Sequence, residues 1–292
     1  MLSWADAVVG EATTGLRRRR GRCAIGPSMK AWWRKRFFGR REAPEEGEAF
    51  DPAWEPVLER NVVLYPRLPE AEKKRLCARL VEFLGTKSFE GCGGLELTEE
   101  MMVTVAGTAS LLMMNRPGPL FPALYTVLLY PGVFRARHVE ETDSGIVHES
   151  APETLGESWE SGSVILAWDA VRPGDRNHTP GQNIILHEFA HQLDLDDGAE
   201  DGAPKLDSRE AQRTWTQVFH EAFEERKWMR RMGHRCVLDD YATTHPAEFF
   251  AVATEVFFER PARLERTFPR LYSELKRYFQ FDPVVRAGLG VR

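Results

Sequence analysis

Apolar positions recur with a helical period in the outer parts of the chain and with strand-like density in its middle. From Glu70 onward, Leu76, Leu80, Val81 and Leu84 fall on one face of a helix. Thr98, followed by Glu99 and Glu100, predicts the cap of a second helix running to about Met114. Its apolar residues spread around most of the surface, which predicts burial, and the cluster Met101, Met102, Met113 and Met114 reads as packing. Three segments, LYTVLLYP at 124–131, VFRARHVE at 133–140 and SVILAWD at 163–169, are rich in strand-forming residues and bounded by Pro and Gly. They predict strands of one small sheet. Helical patterning returns near 182–194, 207–227, 246–259 and 269–280. The class is therefore α+β, with a small mixed sheet set between helical groups and a helical C-terminal part.

Composition limits what this fold is for. With 292 residues, 42% of them apolar, the chain can build a substantial core. Its cysteines, at 23, 77, 92 and 236, show no CxxC pairing and read as reduced thiols of an intracellular protein. No apolar run approaches the roughly 20 residues of a membrane span, and the first 30 residues lack the apolar stretch of a secretory signal. The expectation is a cytoplasmic protein with no transmembrane segment. Residues 1–41 carry eleven Lys or Arg against Asp6 and Glu11, a charge of +9, so the stated net charge of −5 leaves −14 on the rest. An acidic body argues against direct nucleic-acid binding.

Residues 1–50 are read as a disordered basic extension, and 51–285 as the folded domain. Within the extension, residues 1–28 lack any period and suggest a tail, or a start placed upstream of Met29. Trp32, Trp33, Phe37 and Phe38 interleave with cations, a pattern read mainly as disorder or docking on the body.

The sharpest chemical feature is His187-Glu188-Phe189-Ala190-His191, inside the apolar stretch NIILHEFAHQLD. At 3.6 residues per turn the two histidines stand one above the other. That spacing lets two imidazoles hold one zinc ion, while Glu188 beside them can take a proton from a water activated there. Burying three polar groups among Ile184, Ile185, Leu186 and Leu193 would otherwise cost several kcal/mol. A further histidine six residues beyond His191, as one zinc-peptidase class requires, is absent: that position is Asp197. In PAEFFAVATEVFFE, Glu248 and Glu255 stand seven residues apart on one face of an apolar helix. Glu248 as the third ligand, and Glu255 as acceptor for a ligand imidazole N–H, would account for both. Asp194 is the alternative ligand, and the acidic loop LDLDDGAEDG reads as a solvated flank.

GGLELT at 93–98, YPGVF at 130–134, NIILHEFAHQLD at 183–194, DYATTHPAEFFAV at 240–252 and ERPARLERTFPRLY at 259–272 together resemble the Mlc titration factor A family of zinc peptidases. That family is related to the catalytic domain of anthrax lethal factor, and the resemblance runs from about Met29 to Asp282. It implies a zincin-like metallopeptidase fold and one zinc ion per chain, held by His187, His191 and Glu248, with Glu188 as base. It also picks out Tyr241, seven residues before Glu248, as a donor to the oxyanion formed during hydrolysis. His245, just before Pro246, departs from the small polar residue expected and reads as a turn or cap. The implied substrate is a peptide or protein, with aminopeptidase and endopeptidase cleavage both open. An extended substrate could pair with a strand such as SVILAWDA if it lies at the sheet edge. The resemblance further implies, as the rival function, sequestration of a glucose-responsive transcriptional repressor of the Mlc type.

Overall fold

The stripe at Leu76, Leu80, Phe83 and Leu84 becomes the buried face of helix α2 (Glu70–Thr86), which follows the short α1 (Glu55–Asn61). The computed structural model describes residues 50–286 and 288, apart from 133, 136–137, 142–146, 151–152, 155, 160–161 and 172–181. The basic extension expected over residues 1–50 thus lies, but for Phe50, outside the described residues. After strand β1 (Ser88–Gly91) comes α3 (Glu99–Met113), buried from Met101 to Met113, which is why its sequence shows no polar stripe beyond the first turn. Its cap is Thr98, whose side chain accepts the Met101 N–H at 3.2 Å. Gly107 lets α1 approach closely, since a Cβ there would stand 2.5 Å from Leu58 Cδ2.

The sheet draws on separated parts of the chain. Strand β2 (Thr126–Tyr130) is followed by β3 (Phe134–Arg135), β4 (His138–Glu141), β5 (Val147–Ser150), β6 (Glu153–Thr154), β7 (Gly156–Trp159) and β8 (Ser163–Ala167). The main sheet has the order β1-β2-β8-β7, with β1, β2 and β8 parallel and β7 antiparallel to β8. In β8, Val164 through Ala167 are all buried, as expected of a strand covered on both faces. The segment 133–140, expected in this sheet, instead contributes to two separate antiparallel ladders, β3 with β6 and β4 with β5. Its alternation of Arg135, Arg137 and Glu140 with apolar residues never supplies the continuous apolar run that a central strand needs. Likewise SVILAWD leaves the sheet early, because Trp168 opens the helical turn α4 (Trp168–Val171). Buried Lys87, just before β1, ties this strand to the approach of β2. Its Nζ donates to the carbonyls of Phe121 at 2.8 Å and Leu124 at 2.9 Å, and burial pushes the ammonium down to about 8.

The remaining helices are α5 (Ile184–Asp194), α6 (Arg209–Arg231), α7 (Pro246–Glu259), α8 (Pro261–Thr267), α9 (Pro269–Phe279) and α10 (Pro283–Arg286). Helix α5 is central, packed against α3, β7 and β8 as well as α7. Its Phe189 meets Phe121 at 4.9 Å and Phe83 at 5.6 Å between ring centroids. On the other side, Trp215 and Phe219 of α6 stack at 4.0 Å and meet Phe250 of α7 edge-on. None of the described helices is long and apolar enough to cross a membrane. Because Phe189 is fully buried among rings, Phe189→Ala should cost about 3–5 kcal/mol in denaturant unfolding, and Phe189→Leu clearly less. Equal, small losses for both would show that the ring packing does not hold α5.

Candidate metal centre

Helix α5 starts at Asn183, whose extended backbone and side chain cap it by accepting the Leu186 N–H at 3.2 Å. The same residue is bound to α7: its backbone N–H donates to Glu255 Oε2, and its Nδ2 donates to Glu259 Oε1 at 3.0 Å. From that start His187 and His191 fall one turn apart, both buried, with their Nε2 atoms 3.3 Å apart. Helix α7 begins at Pro246 after His245, which acts as its cap, Nδ1 accepting the Ala247 N–H at 3.3 Å. Glu248 therefore sits in the first turn and reaches back, Oε2 lying 3.0 Å from His187 Nε2 and 3.5 Å from His191 Nε2.

These three atoms form a triangle of nearly equal sides. Donors bound tetrahedrally to zinc at about 2.0–2.1 Å stand about 3.3–3.4 Å from one another, which matches. The ring orientation points the same way. His187 Nδ1 lies 2.8 Å from Glu255 Oε1, so with Nδ1 turned to that carboxylate it is Nε2 that faces the other two donors. Two imidazole nitrogens and a carboxylate oxygen this close need a proton or a cation between them, and a metal ion fits all three.

Charge is finely opposed here. Burial would push the Glu248 carboxyl up, but hydrogen bonds to His187 and His191 outweigh it and hold the group well below the carboxylate range. Burial would lower both imidazoles; their carboxylate partners reverse that, raising His187 strongly and His191 to about 9. Glu255, sealed in the core, is pushed up to about 7 by desolvation despite its bond to His187.

Glu188 is buried beside the pair, and its charge is felt by His187, His191 and Tyr241. Tyr241 stands with its ring 6.1 Å from that of His187 and 41% of its surface open. Desolvation and the Glu248 carboxylate push its phenol up, so it keeps its proton. Its turn is held from α6: buried Arg226 donates from Nε to Leu238 O at 2.9 Å and from its guanidinium to Asp240. His187, His191 and Glu248 thus converge on one point, with the Tyr241 ring beside His187 and Glu188 buried on the same helix as the two imidazoles.

Asp194 does not join the triangle. Its Oδ2 accepts the Gly202 N–H at 2.8 Å, folding the acidic loop back on α5, and Trp215 Nε1 donates to Gly202 O at 2.9 Å. Sequence reasoning missed Glu200 in that loop, whose Oε1 lies 3.3 Å from His191 Nδ1. The one signal was its position, nine residues after the second histidine in a glycine-bearing loop.

Two imidazoles and a carboxylate converging on a helix-borne, largely buried point make a donor set suited to a metal-dependent hydrolase. The chain matches the family model of the glucose-regulated metallo-peptidases M90 over residues 30–280, and it belongs to that family. Its relatives include an uncharacterized protein of Synechocystis sp., 34% identical over 254 residues, or 87% of this chain and 90% of that one. Mlc titration factor A of Yersinia pestis and of Yersinia pseudotuberculosis are each 32% identical over 236 residues, 80% of this chain and 86% of theirs. Family membership makes the chain a metallopeptidase by descent and implies a bound metal ion.

Burial raises the Asp194 carboxyl to about 7, against an unfolded value of about 4. Stability from this group is complete below the unfolded value and is lost as pH rises through the folded one. Asp194→Asn keeps an acceptor for Gly202 without the charge. In metal-free protein it should raise the unfolding midpoint at pH 8 by several degrees and leave it nearly unchanged at pH 4. A lower midpoint at pH 8 would show that the charge itself is needed.

Proposed function

We propose that this chain is a zinc-dependent peptidase with a zincin-like active site in the domain spanning 51–285. His187, His191 and Glu248 would hold one zinc ion, Glu188 would serve as general base, and Tyr241 would donate to the oxyanion. The observation that carries this reading is the convergence of two Nε2 atoms and Glu248 Oε2 within 3.5 Å of one another. A zinc ion bound there supplies Lewis-acid polarisation of the scissile carbonyl and acidifies the attacking water.

The protein's own groups do the rest. Glu188 takes the proton of the water and returns it to the leaving amine. Tyr241, protonated and half open to solvent, hydrogen-bonds the oxygen on which negative charge develops. Glu255 keeps the proton of His187 on Nδ1, so that Nε2 stays free for the metal.

The substrate is a peptide or protein. Strand β8, the candidate edge from the sequence, lies inside the sheet between β2 and β7. Among the described strands β7 is the edge that packs along α5, so an extended peptide would add along that strand. Cys77, Cys92 and Cys236, none of them in a disulfide, suit a cytoplasmic setting. A second reading, sequestration of a repressor of the Mlc type, draws on the likeness to proteins named Mlc titration factor A.

Glu188→Gln should retain zinc and lower kcat on a fluorogenic peptide by about 10²–10⁴-fold. Unchanged turnover would remove Glu188 from the chemistry, and repressor binding unaffected by the change would separate the two functions. Tyr241→Phe should lower kcat by about 10²-fold with KM little moved; a change confined to KM would make Tyr241 a substrate contact instead.

A further inference from the structure

The geometry points to Glu200 as a positioning residue of the metal centre, its carboxylate accepting the Nδ1–H of His191 as Glu255 accepts that of His187. This rests on the reading of His187, His191 and Glu248 as ligands. If His191 gives Nε2 to the metal, its Nδ1 must carry the proton, and that atom is buried without a well-aligned hydrogen-bond partner. A buried imidazole N–H left unpaired costs about 1–3 kcal/mol. Glu200 Oε1, at 3.3 Å, is close enough for an ion pair but off the line of a good hydrogen bond. The Glu200 side chain is 48% exposed, so a rotation of its terminal torsions aligns the pair without disturbing the core.

The loop is built to hold that carboxylate in place. It leaves α5 through Gly198 at φ 89° and is pinned by Asp194 and Trp215 at Gly202. Gly202 itself has φ 78°, and a Cβ there would stand 2.4 Å from Pro246 O. Backbone contact therefore fixes the loop against the first residue of α7, two positions before Glu248. One short segment thus touches the helix of the imidazoles and the helix of the carboxylate, and presents Glu200 where they meet.

The test is zinc affinity of the full chain, stripped of metal and titrated against a competing chelator, for the unmodified protein, Glu200→Ala and Glu200→Gln. The unfolding midpoint of each metal-free protein is measured alongside. The expected result is a 10–100-fold loss of affinity in Glu200→Ala, partial recovery in Glu200→Gln, which keeps an acceptor oxygen, and unchanged metal-free midpoints. Glu200→Ala binding zinc as tightly as the unmodified chain would overturn the role of Glu200 while leaving the ligands intact. So would a loss of affinity matched by a lowered metal-free midpoint and not recovered by Gln. An unmodified chain that binds no zinc would instead overturn the ligand reading itself, and this inference with it.

Discussion

A buried imidazole can present one nitrogen to a metal only if its other nitrogen is satisfied, and in this fold that requirement locks α5 to α7. Glu255 Oε1 lies 2.8 Å from His187 Nδ1, and Oε2 of the same carboxylate takes the N–H of Asn183, the residue that caps α5. A single side chain therefore sets where the helix begins and how its first imidazole is rotated. Two turns earlier on α7, Glu248 closes the triangle of donors. Burying these charges is costly, by several kcal/mol per ion when unpaired. Aromatic packing on both sides offsets it: Phe189 wedged between Phe83 and Phe121, and Phe249 and Phe250 set against Phe219.

Around that locked pair the chain places its more exposed groups on segments held from elsewhere. Tyr241 rides on a turn tied to α6 by buried Arg226, and Glu200 on a loop tied to α5 by Asp194 and to α6 by Trp215. His187, His191 and Glu248 lie on two packed helices, whereas Tyr241 and Glu200 sit partly exposed at the rim. The antiparallel strand β7, an edge of the main sheet among the described strands, packs along α5.

Much of this could be read from the chain, for identifiable reasons. His187 and His191 declare themselves because a helical period of 3.6 puts them on one face, and Glu248 and Glu255 because carboxylates on an apolar helix need partners. The bounds of α7 follow from Pro246 at its first turn, and His245 takes the capping role its position suggested. Elsewhere long-range pairing decided the outcome. Strand β1 is four residues long with only Phe89 as a large apolar residue, so only its ladder with β2 makes it a strand. The segment 133–140 has strand character but pairs outside the main sheet, and which strand lies at the edge depends on topology that local pattern does not carry. Glu200 escaped notice because an acidic, glycine-bearing loop looks solvated until Asp194 folds it back onto the helix.

The most direct test of the central claim is zinc K-edge X-ray absorption of the purified chain loaded with one zinc per molecule. A centre of His187, His191 and Glu248 gives a low-coordinate nitrogen and oxygen shell at about 2.0–2.1 Å, with the outer-shell scattering of two imidazoles, which is lost when His187 and His191 are both replaced by Ala. A shell containing sulfur, or one without imidazole scattering that survives those replacements, would contradict it.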